Sequence, residues 1–447
     1  MGFRLNVEVN NSQLKVFMME FQVEKTEKIQ GVVQAPPSKS YTHRAFFLAS
    51  LARGESRVHN PLYSEDTLAS LVACQAFGSQ FQVSDEMSLV EGTAGDLQTP
   101  EDVLDLKNSG TTLRLATTMA SLAPGCTVLT GDDSLRTRPM QPLLASLAKL
   151  GVQAQSTREN GRAPIIIENG FKGGSTSIPG DVSSQYISSI LISAPYSQEG
   201  VELEVTGDFI SRPYVEMTRD IMAHYGVKVD YQADEKQFQV EPQTYQARDY
   251  TVEGDYSSAS YLVAAAAILE SEISIRNLFK DSRQGDKVIL GIVKEMGLEV
   301  QCLKDEVKLE GNGQIRGVEV NLEDTPDLVP TVAVLGALAE GTTTITGVEH
   351  ARYKETDRIS TTAQELKKIG FRVEEKLDGL VLKGGIPDRV SDVVVDSHGD
   401  HRLAMALSLV GLKLGSLRVQ NAQVHKISFP RYREVMEKLG CRIRAVM

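Results

Sequence analysis

Tryptophan is absent from this 447-residue chain and cysteine is nearly so. The four cysteines, Cys74, Cys126, Cys302 and Cys441, stand far apart and form no C-x-x-C pair. Neither a zinc site nor a disulfide framework is readable from them, and a reducing, cytoplasmic compartment is expected. A basic excess is missing too. The net charge of -12 speaks against nucleic acid as a partner, because binding a phosphate backbone needs a basic surface. No long hydrophobic run occurs; the longest very apolar stretch, "YLVAAAAIL", is far too short to cross a bilayer, and no membrane partner is expected. The first residues, "MGFRLNVEVNNSQLKVF", lack an uninterrupted apolar core and alternate in polarity, which reads as a strand and not as a signal peptide. What remains is globular: 41% hydrophobic and 24% charged residues exclude disordered and fibrous classes. The length suggests two or more domains, each with its own core.

Internal periodicity is the first positive signal. Helix-like segments that end in glycine and pass into a β-type run recur as "LVACQAFG", "LLASLAKLGV", "RDIMAHYGVKV", "IVKEMGLEV", "AQELKKIGFRV" and "VMEKLGCRI". Their glycines, Gly78, Gly151, Gly226, Gly297, Gly370 and Gly440, lie 73, 75, 71, 73 and 70 residues apart. Glycine just past a helix lets the chain turn left-handed and leave it. A second helix class, rich in Ala, Ser, Leu and Met, keeps the same period, as in "TTLRLATTMASLAPG" and "HRLAMALSLVGLKLG". Its apolar residues surround the helix, which marks it as buried. Six α/β units of about 70 to 75 residues follow, dividing as three plus three. The polar stretch "QARDYTVEGDYSSAS" (246–260) is one expected crossover between lobes and "APPSK" is the other, so that the N-terminal strand joins the C-terminal lobe.

Each buried helix opens on a polar cluster: Ser38-Lys39-Ser40, Asn108-Ser109-Gly110-Thr111-Thr112, Ser183-Ser184-Gln185, Asp255-Tyr256-Ser257-Ser258, Thr325-Pro326-Asp327 and Gly399-Asp400-His401-Arg402. Capping accounts for one such residue per helix but not for three or four in succession. Nor does it account for Lys39, Arg44, Arg114 and Arg402 on otherwise apolar helices, since a buried base is costly unless paired. The economical arrangement brings several helix N-termini to one cleft, where amides, dipoles and bases hold a multiply anionic ligand. Three further clusters bring chemistry: Arg136 and Arg138 in "RTRP", Ser211, Arg212 and Tyr214 in "SRPY", and His350 to Arg358 in "HARYKETDR".

In this order, "SKSYTHR", "NSGTTLR", "RTRP", "SSQY", "SRPY", "VEGDYSSASY", "PDLVP", "KETDR" and "GDHRLAM" closely resemble the 5-enolpyruvylshikimate-3-phosphate synthase family, from about Pro36 to the C-terminus. The resemblance implies an α/β fold of two lobes, with six βαβαββ units, three per lobe, around buried parallel helices. One lobe would be 1–37 plus 253–447 and the other 38–252, with the active site in the cleft between. It implies transfer of the enolpyruvyl group of phosphoenolpyruvate to the 5-hydroxyl of shikimate 3-phosphate, in the shikimate pathway to chorismate and the aromatic amino acids. It assigns shikimate 3-phosphate to Lys39, Ser40, Arg44, Ser183, Ser184, Gln185, Ser211, Asp327, His350 and Lys354. Phosphoenolpyruvate falls to Lys39, Gly110, Arg138, Gln185, Arg358, Arg402 and Lys426. Asp327 is the implied base for the 5-hydroxyl, Glu355 handles the proton at the phosphoenolpyruvate methylene, and Lys39 joins them as catalytic. No metal and no cofactor are implied, because lysine and arginine supply the charge; a monomer is expected. Glyphosate, which competes with phosphoenolpyruvate in this family, would bind near Gly110. Two positions depart from the family pattern: residue 350 is histidine where many members have asparagine, and "HKISFP" sets Lys426 one residue early.

Two other readings compete. The UDP-N-acetylglucosamine enolpyruvyl transferases share the architecture, but usually carry a reactive cysteine five residues before the arginine corresponding to Arg138. Asp133 stands there, and Cys126 is twelve residues before. A non-catalytic anion-binding protein on the same scaffold would not need Lys39, Asp327 and Glu355 together with the arginines.

Overall fold

The computed structural model describes residues 19–387 and 392–447; segment 1–17, read above as a strand, lies outside them. Among the described residues, twelve α-helices pack on six four-stranded sheets. The helices are α1 (Lys39–Leu51), α2 (Glu65–Ala76), α3 (Gly110–Ala120), α4 (Gln141–Lys149), α5 (Ser184–Ser193), α6 (Arg212–His224), α7 (Tyr256–Ile268), α8 (Ile289–Met296), α9 (Val329–Leu338), α10 (Arg358–Ile369), α11 (His401–Leu414) and α12 (Tyr432–Lys438). None is long and apolar enough to cross a membrane.

The sheets repeat one plan. A strand runs parallel to the strand that follows a buried helix; that second strand pairs antiparallel with the far arm of a hairpin, whose near arm forms the edge. In one sheet, Tyr250 lies opposite Val58 in the parallel pair, and Val58 lies opposite Ser88 in the antiparallel one. The glycines that set the sequence period do the expected work. Gly78, Gly151, Gly226, Gly297, Gly370 and Gly440 follow the even-numbered helices at φ between 85° and 117°, where a Cβ is disfavoured.

The odd-numbered helices are the buried ones, and they divide into two hydrophobic cores. Tyr41 to Val252 form one core around α1, α3 and α5; Phe21 to Ala35 join Tyr256 to Ile443 in the other, around α7, α9 and α11. Every residue of α7 and of α9 is buried. Two exchanged strands tie the cores. Lys28–Gln34 precedes α1 in sequence but runs parallel to Glu270–Arg276 of the second core, while Asp249–Thr251 returns to lie along Arg53–His59 of the first. Strand Glu20–Glu24 stands between Leu417–Gln420 and Arg442–Val446, the place a hairpin arm fills in the other sheets. The crossing segments hold each other: Ser38 N–H donates to the Glu253 carbonyl and Asp255 N–H to the Pro36 carbonyl, both at 2.8 Å. The result is a two-lobed α/β fold of six βαβαββ units whose buried helices begin at the seam.

Candidate active site

The seam is built from helix starts. Ser38, Ser109 and Ser183 cap α1, α3 and α5, each hydroxyl accepting a backbone N–H of the first turn. Asp255 and Asp400 cap α7 and α11 in the same way. Asp255 serves both lobes: one oxygen accepts from Ser258 N–H at 2.7 Å and the other from Lys39 N–H at 2.9 Å. A short 3-10 turn, Pro326–Leu328, leads into α9 and carries Asp327.

These starts open on one cleft lined by Lys39, Ser40, Arg44, Gly110, Arg114, Arg138, Ser183, Ser184, Gln185, Ser211, Tyr214, Asp327, His350, Lys354, Glu355 and Arg402. All of the sequence-predicted site residues are therefore together except two. Arg358 lies directly behind the lining, 1% exposed, bonded to residues that form it. Lys426 is not brought to the cleft. It sits on the 3-10 segment Ala422–Ile427, which buries Ala422, His425 and Ile427 and leaves the lysine exposed. A larger open groove lies on the outer face of the sheet carrying Glu272, Glu306, Lys308 and Glu310, but no helix begins there.

On the first lobe the site is cationic and rich in hydroxyls. Lys39 Nζ donates to Asp66 at 2.9 Å, with both groups largely buried. Arg44 is committed to four oxygens: Thr218 Oγ1 at 2.7 Å, the Ser40 and Tyr214 carbonyls at 2.9 Å, and Ser188 Oγ at 3.4 Å. Burial draws its pKa down to about 10, and it stays charged at neutral pH. Gly110 has no room for a side chain: a Cβ there would lie 2.5 Å from Arg138 Nη1 and closer still to Arg114 Nη1. The two guanidinium groups thus flank the first amide of α3. Arg138 donates to Asn108 at 2.8 Å, and Gln185 Nε2 donates to Thr111 Oγ1 at 3.0 Å.

On the second lobe Asp327, Glu355 and Asp400 each meet an arginine. Arg358 donates to Asp327 at 2.7 Å, to Glu355 at 2.5 Å and, through Nε, to Asp400 at 2.7 Å. Arg402 donates to the other Asp327 oxygen at 2.6 Å, and Lys354 Nζ lies 3.8 Å from that carboxylate. Burial alone would raise the pKa of Asp327, but Arg402, Lys354 and Arg358 outweigh it and hold it well below the ordinary range. Glu355 is likewise desolvated and likewise held low, by Arg358 and by Arg138 across the cleft at 4.0 Å. Lys354 is pushed down by burial. His350 is buried and brought down to about 4, by desolvation first and then by Lys354, so it is neutral at pH 7; its Nε2 has no partner among the described residues.

Sequence reasoning missed Asp66, which pairs Lys39, and Asp286, which lies 3.1 Å from the Tyr214 hydroxyl. Asp66 sits in the first turn of α2 and Asp286 in a 3-10 turn, both outside the six clusters that head the buried helices, so the signal that found the others did not reach them. Asp133, at the place of the rival family's cysteine, points to solvent and pairs Arg136; Cys126 is exposed and lies outside the cleft.

The chain matches the profile of the family described as EPSP synthase (3-phosphoshikimate 1-carboxyvinyltransferase) over residues 23–436. It is 57% identical to the 3-phosphoshikimate 1-carboxyvinyltransferase of Methanothermobacter thermautotrophicus, over 95% of this chain and 99% of that one. Against the protein of the same name from Methanosphaera stadtmanae the identity is 50%, over 94% of this chain and all of the other. Among solved structures, EPSP synthase from Acinetobacter baumannii superposes with a TM-score of 0.80 at 26% identity, covering 96% of this chain and all of that one.

Proposed function

The chain belongs to the EPSP synthase family, and from that premise we propose which of its residues carry the reaction and how. The reaction is the shikimate-pathway transfer of the enolpyruvyl group of phosphoenolpyruvate to the 5-hydroxyl of shikimate 3-phosphate, with release of phosphate. Asp327 takes the proton of the 5-hydroxyl as that oxygen attacks C2 of phosphoenolpyruvate. Glu355 takes up a proton as phosphoenolpyruvate draws Arg358 and Arg138 away from it, delivers that proton to C3, and later removes one when the tetrahedral ketal expels phosphate. The observation that supports this pairing is the shared guanidinium of Arg358, at 2.7 Å from one carboxylate and 2.5 Å from the other.

Held by three cations, Asp327 is a poor base. Phosphoenolpyruvate brings a carboxylate and a phosphate that compete for Arg358 and Arg402, and engaging them relieves Asp327 of two positive partners. Its basicity then rises when the second substrate is in place. Arg138 and the α3 amide at Gly110 complete the seat for that substrate, with Lys39 and Gln185 placed to touch both ligands. Ser40, Arg44, Ser183, Ser184, Ser211, His350 and Lys354 receive shikimate 3-phosphate. The reading extends to the division of the chain into lobes 1–37 plus 253–447 and 38–252, to a cytoplasmic location and to a monomer. Lys426 would need its segment to move before it reached phosphoenolpyruvate.

The test is phosphate release from phosphoenolpyruvate with and without shikimate 3-phosphate. Release that depends on the acceptor, with enolpyruvylshikimate 3-phosphate formed in equal amount, is expected. Acceptor binding without release would withdraw the acid and base assignments.

A further inference from the structure

Asp286 is a buried carboxyl at the cleft that the proton transfers above do not use. It is 4% exposed and stands in the turn Gly285–Val288, which closes on the other lobe. Gly285 makes that approach possible, since a Cβ there would lie 2.8 Å from Pro213 and 3.2 Å from Thr325. Gln284 fixes the turn from the other side, donating to the Gly254 carbonyl at 2.7 Å and to Glu253 at 2.6 Å. The Tyr214 hydroxyl, brought by α6, lies between two carboxylates: 3.1 Å from Asp286 Oδ2 and 3.4 Å from Asp327 Oδ2. The second oxygen of Asp286 has no partner among the described residues.

One hydroxyl hydrogen cannot serve two anions. Asp327 is already ionised by Arg358 and Arg402, so the second carboxyl is the one that must carry a proton of its own. The groups facing Asp286 agree. Burial and then the Asp327 charge raise its pKa to about 7, Asp255 adds to this, and Arg402 and Tyr214 oppose it. Lys39 of α1 lines the same small space. In the protonated state Asp286 donates Oδ2–H to Tyr214 Oη, which donates its own hydrogen to Asp327. The chain then holds two protons and one negative charge. Loss of the Asp286 proton to solvent leaves two carboxylates competing for one hydrogen, and sets a further negative charge beside an anionic acceptor.

We propose that Asp286 is a positioning residue for the transfer: as a neutral acid it orients the Tyr214 hydroxyl onto Asp327 and keeps the acceptor's side of the cleft free of a second carboxylate. The inference rests on Asp327 being the base. It requires that kcat/KM for shikimate 3-phosphate fall as pH rises through the Asp286 titration.

The experiment compares Asp286→Asn with the wild type at each pH, which cancels the titration of the substrates themselves. Asparagine is permanently neutral and its amide can still donate to Tyr214. At about pH 6 the two proteins should agree within about threefold, and the ratio of variant to wild type should climb about tenfold by about pH 9. Tyr214→Phe cuts the same chain while leaving Asp286 in place. Ionised Asp286 then lacks a donor, so its titration moves upward and the ratio to wild type should climb over the same range. This second ratio decides the matter if Asp286→Asn fails to fold. Ratios that stay flat with pH overturn the inference and leave Asp286 a packing residue. If Asp327→Ala turns over normally, the base assignment falls and takes the inference with it; flat ratios beside a dead Asp327→Ala remove the inference alone.

Discussion

The two walls of the cleft cap their helices differently. On the first lobe the caps of α1, α3 and α5 are Ser38, Ser109 and Ser183; on the second, α7 and α11 are capped by Asp255 and Asp400, and Asp327 sits in the turn before α9. A serine hydroxyl satisfies an orphan N–H but brings no charge, so the positive end of the helix stays available to an anion. An aspartate satisfies the same N–H and cancels that end. The first wall is thus a seat for negative charge, with Lys39, Arg44, Arg114 and Arg138 adding to the dipoles. The second spends its arginines on its own carboxylates, through Arg358 and Arg402. On the proposed assignment the two walls differ in emphasis: the first offers anion contacts alone, while the second adds the two proton-transfer carboxylates, Asp327 and Glu355, to its own substrate-binding cations.

The largest effect expected from this division is on the second wall. Asp327→Ala should lower kcat by about 10²- to 10⁴-fold, the range for a lost general base, while shikimate 3-phosphate still binds. Fluorescence or calorimetric titration of the acceptor beside steady-state turnover separates the two quantities. Turnover like that of the wild type would remove Asp327 from the mechanism.

How far this could be read from the chain differs between the walls as well. The sixfold period was legible because each unit ends a helix on a glycine that must be left-handed, and a positive φ leaves its mark at a fixed spacing. The clusters at helix starts were legible because three or four polar residues at the head of an apolar helix exceed what capping needs. Asp66 and Asp286 were not, because each acts through a contact between distant segments: Asp66 with Lys39, Asp286 with Tyr214. The sequence suggested two crossovers and an N-terminal strand joining the C-terminal lobe, but not which strands pair. That Lys28–Gln34 pairs with Glu270–Arg276 depends on a register no local pattern records. Lys426 shows the opposite limit: the motif placed it, but the burial of Ile427 and His425 beside it turns it to solvent.

The comparison can be broken at a single cap. Ser183→Asp keeps the hydrogen bond to Gln185 N–H that the serine makes at 3.3 Å, so the helix start should be as stable or more so. It also puts into the first wall the charge that belongs to the second. The KM for shikimate 3-phosphate should rise about 100-fold, with thermal stability unchanged or higher. An unchanged KM would mean that the serine caps do not define the anion seat.

A smaller effect is expected at Gly110, where the first wall holds two guanidinium groups against the backbone. In Gly110→Ala the new methyl must shift the guanidinium ends of both Arg138 and Arg114, because its Cβ falls 2.5 Å or less from each. The KM for phosphoenolpyruvate should rise about tenfold and the affinity for shikimate 3-phosphate should hold within about threefold. Equal losses for both substrates would show that the two seats are not separable.

The smallest effect is also the sharpest test of how deep the difference runs, because one chemical change can be made in both cores. Thr218 in the first lobe and Thr331 in the second are each fully buried on a helix. Thr218 Oγ1 accepts from Arg44 Nε at 2.7 Å, donates to the Tyr214 carbonyl and lies 2.8 Å from Ser188 Oγ. Thr331 Oγ1 is 3.2 Å from Ser260 Oγ, which keeps a bond to the Ser257 carbonyl without it. Thr218→Val therefore strands a buried charged donor and should cost about 1–3 kcal/mol in chemical denaturation, with weaker acceptor binding as Arg44 shifts. Thr331→Val strands nothing and should stay within about 1 kcal/mol of the wild type, with both KM values unchanged. If the two substitutions cost the same, the polar lining of the first core serves packing alone. If only Thr218→Val disturbs the acceptor, the hydroxyls buried in the first lobe are the support that holds Arg44 at the cleft, a duty that Thr331 of α9 does not share.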